Sequence, residues 1–154
     1  MEITFAPNGN LQIDDAKLRF RNFAGRPGAF NKEGERSFSL VVESPEDAER
    51  LTAAGWNVRI KTANEEGELP SMHLPVKVKF NGRGPHVYLV SGDRKVKLDE
   101  ESVGCLDDVY ILRVDLDIRP YDWEVRGDTG RTAYLHSMQV VQELDRFAQM
   151  DNEY

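Results

Sequence analysis

At 154 residues, with 40% hydrophobic and 31% charged side chains, the chain has the size and composition of one globular domain rather than of a disordered or fibrous polymer. A net charge of −7 excludes a polycation that coats duplex DNA with its whole surface, and a single cysteine, Cys105, excludes an intramolecular disulfide or a thiolate metal cluster. Met1–Phe5 lacks the positive flank and apolar run of a secretory signal, and no stretch reaches membrane-spanning length, so a reducing, cytoplasmic setting is expected.

Alternation of apolar and polar residues, the mark of a half-buried strand, dominates from residue 17 onward. In residues 17–23 it points Leu18 and Phe20 inward and Lys17, Arg19, Arg21 and Phe23 outward. Residues 25–34 come next as a basic, glycine-rich loop carrying Arg26, Phe30 and Lys32, long enough to be read as a mobile functional loop. A strand at 37–42 precedes the one clear helix signal: Ser44 as N-cap, Pro45 at the first helical position, Glu46 and Asp47 at the positive end of the dipole, and Gly55 as the stop. Strands are then expected at 57–61, at 76–80 with Lys77 and Lys79 outward, at 86–90, and at 94–98 with Val96 and Leu98 buried beneath Lys95 and Lys97.

A short helical turn is expected between Asp99 and Gly104, and strands at 109–119, 121–125 and 131–142. In the first of these Leu112, Val114, Leu116 and Ile118 face inward; in the second Tyr121, Trp123 and Val125 share a face that reads as core. Asn81–Pro85, Ser91–Asp93 and Arg126–Gly130 have the composition of hairpin turns. Some eight short strands with one or two short helices make the chain mainly β, a barrel or small sandwich, with an OB-like five-stranded Greek-key barrel plus additional strands the preferred member. One domain over residues 1–147 and a short acidic tail over 148–154 complete the expected organisation.

Few residues suggest catalysis. His73, His86 and His136 form no zinc-binding pair in sequence, no Gly-x-Ser-x-Gly elbow or Gly-Lys-Ser/Thr nucleotide loop occurs, and Cys105 has no cation beside it. Asp115 and Asp117 on one strand face, near Asp122 and Glu124, faintly resemble the paired acids of metal-dependent nucleases, yet Arg126 stands where a lysine is wanted and a charge ladder explains them as well. No metal, cofactor or catalytic residue is expected.

Charge, by contrast, is blocked. Residues 16–32 carry Lys17, Arg19, Arg21, Arg26 and Lys32 with no acid, and residues 77–97 carry Lys77, Lys79, Arg83, Arg94, Lys95 and Lys97 against Asp93 alone. With Phe23, Phe30 and Tyr88 among them, these two stretches offer cations for phosphates and rings for unpaired bases, the requirements of single-stranded nucleic acid, if they converge on one patch. Tyr134 is a further aromatic candidate.

The stretches Asn22-Phe23-Ala24-Gly25, Leu98-Asp99-Glu100-Glu101-Ser102-Val103-Gly104 and Ile118-Arg119-Pro120-Tyr121-Asp122-Trp123-Glu124-Val125 resemble small phage-encoded proteins of replication and recombination modules, over residues 19–147. The resemblance implies an OB-fold single-stranded-DNA-binding protein acting in the bacterial host cytoplasm. It also implies that an acidic, aromatic-ended tail, here Asp151, Glu153 and Tyr154, recruits replication or recombination proteins. A protein-interaction module, such as a host-factor inhibitor or virion component, is the alternative, and a metal-dependent nuclease ranks below it. The oligomeric state is left open, a homo-oligomer included.

Overall fold

The computed structural model describes residues 1–29, 31–61 and 71–144. Strands β1 (Glu2–Phe5), β2 (Leu11–Asp14), β3 (Leu18–Asn22) and β4 (Arg36–Val42) lead into helix α1 (Pro45–Ala53). After it come β5 (Arg59–Lys61), β6 (Ser71–Val78), β7 (His86–Ser91), β8 (Arg94–Leu98), a short 3-10 helix over Val103–Asp107, and two long strands, β9 (Ile111–Val125) and β10 (Asp128–Gln142). Ser44 caps α1 as its composition demands: its side chain accepts from the Asp47 N–H, Pro45 opens the first turn, and Ala48 and Leu51 are the buried stripe.

The ladder runs β1-β2-β9-β10-β6-β4-β3, with β5 on β6 and the β7–β8 hairpin on β10. Within it, β3-β4-β6-β10-β9 is the strand path of an OB barrel: an antiparallel meander, a parallel β6–β10 step and an antiparallel β9–β10 pair. The barrel stays partly open, because β3 and β9 do not pair as strands. Their seam is bridged by the Ala16 N–H to the Val114 carbonyl at 2.8 Å and by Arg21, whose Nη1 donates to the carbonyls of Leu106 and Val109 at 2.8 and 2.9 Å. Inside lies one apolar cluster that includes Phe23, Phe38, Leu40, Val76, Val114 and Val140. No helix among the described residues is long and apolar enough to cross a membrane.

Several elements depart from simple alternation. β1 and β2 are additions, bound to the barrel by Leu11, Gln12 and Ile13 against β9. Residues 109–119 and 121–125 are one strand running through Pro120, which lies just beyond the last β2 partner, Ile118. Asn81–Pro85 is not a hairpin, since β6 and β7 both run parallel to β10, one after the other along its edge. Val96 and Leu112, read as inward, are 53% and 65% exposed: Val96 lies on β8, at the margin of the sheet, and Leu112 at the start of β9 beside the open seam.

Candidate nucleic-acid interface

Three strands contribute to one outward face. On β6, Leu74, Val76 and Val78 are buried, which turns His73, Pro75 and Lys77 outward by strand periodicity, and Lys79, just past its end, is exposed. Lys77 stands beside Tyr134 of β10, which is itself opposite Arg119 of β9, so a cation-aromatic-cation row crosses three strands. The Arg119 guanidinium lies 4.8 Å from the Tyr134 ring centre, and Tyr121 meets the same ring edge-on at 6.1 Å.

Beyond that row the β9–β10 hairpin leaves the body of the barrel, closing on a two-residue turn in which Arg126 and Gly127 both have positive φ. Tyr121, Trp123 and Val125, read from sequence as core, are instead 54%, 38% and 59% exposed. The indole of Trp123 packs against Gly130, its cross-strand partner, so closely that any β-carbon there would collide with it. The hairpin is tied down by Arg131, which donates through Nε and Nη2 to both Asp122 oxygens at 2.6 and 3.2 Å and through Nη1 to the Ala54 carbonyl at the end of α1. The Arg131 hydrogen bond and charge hold the Asp122 carboxyl below its ordinary range.

Two hollows adjoin at Pro75 and Lys77 and together make a trough on this face. One, of about 650 Å³, runs from Asn31 and Gly34 of the loop to Lys79, Phe80 and Tyr134. The other, of about 540 Å³, is walled by Arg59, Trp56, Trp123 and Arg131. The loop beside the first is built by its own hydrogen bonds: the Gly34 N–H donates to the Gly25 carbonyl, Asn22 exchanges two bonds with Arg26, and Asn31 Nδ2 donates to the carbonyls of Arg26, Lys32 and Glu35. Both Asp107 oxygens accept from the N–H groups of Phe23 and Ala24, fixing the point at which the loop departs. In the floor of the hollow Arg36 passes above Phe80, and its Nε is buried with no hydrogen-bond partner among the described residues.

The two basic stretches converge only in part. Lys77 and Lys79 line the trough, while exposed Arg26 and Lys32 belong to the loop that borders it. Lys17, Arg19 and Arg21 line a separate hollow at the β3–β9 seam, with Tyr110 and Arg113, that shares no residue with the trough. There Lys17 is 2.6 Å from Glu43, which raises the lysine pKa and lowers the carboxylate's. Arg21 is no surface cation: it is half-buried and engaged with two carbonyls. Lys95 and Lys97 sit on the β7–β8 hairpin, Lys97 opposite Tyr88 and the Lys95 ammonium 4.6 Å above its ring; Arg83 is exposed on the preceding turn.

Phe23 must be reassigned. It is fully buried and stacked on Phe38 at 5.4 Å, because β3 bulges between Arg19 and Asn22 and so reverses the facing of the residues beyond the bulge. The same bulge turns Phe20 outward, 71% exposed, with its ring 6.2 Å from that of His73. Sequence reasoning therefore took the wrong phenylalanine of the pair, although Phe23 falling out of step with Leu18 and Phe20 was itself a sign of a phase break. Burial, then Arg59 and Lys61, hold the His73 imidazole below its ordinary pKa. Phe30 and the tail residues Asp151, Glu153 and Tyr154 lie outside the described residues.

Of the β9 acids, Asp115 is bonded to Arg113 on its own strand and Asp122 to Arg131 across the hairpin. Burial alone would push the Asp115 carboxyl up, but the Asp15 N–H and Arg113, both bonded to it, bring it below its usual range; burial raises Asp117. The β7–β10 pairing does bring His86 and His136 to 6.4 Å. Even so, no group of three or more metal-ligating side chains gathers among the described residues.

Comparison with known proteins agrees with this architecture. Residues 2–152 match the model of a protein family described as "Putative phage ssDNA-binding domain". The chain is similar in fold to the single-stranded DNA-binding protein of bacteriophage Enc34 in complex with ssDNA, with a TM-score of 0.60 at 11% identity, covering 93% of this chain and 92% of that one. A C-terminal truncation of the Enc34 protein gives a TM-score of 0.55 at 13% identity, covering 93% and 91%. No curated protein sequence matches significantly. With a family model spanning nearly its whole length, the chain belongs to the phage ssDNA-binding domain family.

Proposed function

We propose that this protein binds single-stranded DNA, without enzymatic chemistry and with little sequence preference, along the trough between the 25–35 loop and the β9–β10 hairpin. The observation that carries the reading is the row Arg119-Tyr134-Lys77 with Tyr121 and Trp123 beyond it. Cations spaced along an open channel engage phosphates, and exposed rings stack on bases of any identity. The trough lies between the first loop and the last hairpin of an OB barrel, the loops suited to oligonucleotides, and the row enters it from the third strand, β6, and the last hairpin, β9–β10. A similar fold in complex with ssDNA, and the family description, support the same choice.

Lys77, Lys79, Arg26 and Lys32 are the phosphate-contacting candidates from the sequence that stay with this trough, and Phe30 is retained on its loop position. Tyr88, Lys95 and Lys97 offer a second aromatic-cation group, with Arg83 between, for a longer strand continuing along the β10 edge. Arg19, in register with Ser39 and Pro75, borders the outward face, whereas Lys17 would meet DNA only if it wrapped around the seam. A role in phage replication or recombination, with Asp151, Glu153 and Tyr154 recruiting a protein partner, belongs to the same proposal.

Trp56 is buried beneath Arg131 whereas Trp123 is open to solvent, so tryptophan emission tests the site directly. An oligothymidylate at low salt is expected to quench the emission of the wild type, and Trp123→Phe is expected to abolish most of that quenching while Trp56 still fluoresces. No binding at low salt would refute the reading; quenching that survives Trp123→Phe would move the site off the hairpin.

A further inference from the structure

Phe20 occupies a backbone conformation that its side chain does not favour. Its φ is +52°, the left-handed region that glycine and asparagine enter cheaply and bulky residues rarely do. A strained phenylalanine is ordinarily compensated by burying its ring, yet this ring is 71% exposed. Neither local backbone preference nor core packing accounts for a phenylalanine here, which is the situation in which strain points to function.

The surroundings say which function. The Phe20 ring meets His73 edge-on, at an interplanar angle of 67°, so its open face is left for another flat group. His73 is on the outward row of β6 with Pro75 and Lys77, and β5 sets Arg59 directly opposite it and Lys61 opposite Ser71, both exposed. With its pKa lowered by burial and by those two cations, the imidazole is a neutral ring at pH 7 inside a positive field. From His73 to Lys77 is about 13 Å along the strand, a span of at most about four nucleotides at the stacked rise of ~3.4 Å.

We infer that Phe20 and His73, flanked by Arg59 and Lys61, form a second base-stacking subsite on the same face, at the opposite end of the β6 row from Lys77 and Tyr134. The ligand is an unpaired nucleobase of the strand already held in the trough, with Arg59 and Lys61 taking adjacent phosphates. Duplex DNA does not fit this chemistry, because its base faces are already occupied by stacking.

This inference rests on the single-stranded-DNA reading, and its test separates the two. In Phe20→Gly the ring is removed and the backbone strain relieved together, so the melting temperature is expected to stay level or rise while affinity for a twenty-nucleotide oligothymidylate falls about ten-fold, within the range for one lost stacking contact. Phe20→Trp is expected to keep wild-type affinity. Replacing the two exposed cations, Arg59→Gln with Lys61→Gln, is expected to reduce the slope of log affinity against log salt by about 1.4, at ~0.7 per phosphate contact, and decides the matter should the bulge variants fold poorly. A wild type that does not bind oligothymidylate overturns the DNA reading and the subsite with it. A binding wild type with unchanged affinity in Phe20→Gly, or an unchanged salt slope in the double cation variant, overturns the subsite alone.

Discussion

Phe20 and Phe23 lie three positions apart and end on opposite sides of the sheet, one in water and the other packed against Phe38. Their odd spacing already sets them on opposite faces; the extra residue in β3 decides which faces water, because strand side chains alternate with a period of two and an insertion inverts everything beyond it. Phe23→Ala should therefore behave as a core truncation, costing about 3–5 kcal/mol in denaturant unfolding. Arg21→Ala should act in the same direction for another reason: it strands two seam carbonyls that now share a charged donor, a loss of about 1.5–3 kcal/mol. Lys77, exposed on the outward face, should be replaceable by alanine within about 0.5 kcal/mol. Equal stability losses at Lys77 and Arg21 would refute this division between structural and free cations. Alternation in the sequence identified β3 correctly, but it cannot represent a bulge, and a count of charges cannot see that an arginine spends its donors on carbonyl groups.

At the level of elements, the β9–β10 hairpin shows how one pair of strands serves two purposes. Its inner half contributes Val114, Leu116 and Ile118 opposite Val140, Met138 and Leu135, all buried. Past Arg119 and Tyr134 the strands outrun the core, so the same alternation that buried aliphatics now leaves Tyr121 and Trp123 exposed. Apolar rings in strict alternation normally mean core. Only the length of the pair, fifteen residues in each strand, would have warned that the outer half had no body to cover it. A turn over Arg126–Gly130 was legible from its composition, though the structure tightens it to Arg126-Gly127, both at positive φ, and gives Asp128, Thr129 and Gly130 to β10. The need for Gly130 was not legible, because it is set across the strand by the indole packed against it. Gly130→Val should lift Trp123 from its seat, shifting its emission to the red and weakening oligonucleotide binding, while the melting temperature falls by no more than a few degrees. An unshifted emission maximum would show that the indole does not depend on the missing side chain.

For the whole molecule the question is how a chain of net charge −7 holds a polyanion. Two acids, Glu35 and Glu100, line the trough, Glu100 paired with Arg36 at 3.4 Å, while others lie elsewhere: Asp14, Asp15 and Asp115 gather where β2 meets β9, and Glu46, Asp47 and Glu49 line the first turns of α1. At physiological ionic strength the screening length is about 8 Å, so distant charges contribute little, and the cations lining the trough, Arg36, Arg59, Lys77, Lys79 and Arg131, outweigh Glu35 and Glu100 there. The blocked charge in the sequence announced such a patch, but not its membership. Lys17 is already paired with Glu43, Arg21 is tied to carbonyls, and both lie at the seam, whereas Lys77 and Lys79 point into the trough. Counterion release turns this into a measurable difference, because only cations that neutralise phosphates contribute to the salt slope, by about 0.7 each for a single strand. Lys77→Ala with Lys79→Ala should lower the slope by about 1.4 and weaken binding most at low salt. Lys17→Ala should leave the slope where it was. If the Lys17 variant instead flattens the salt dependence as much as the Lys77 and Lys79 pair does, the strand runs over the seam, and the trough between loop and hairpin is not its path.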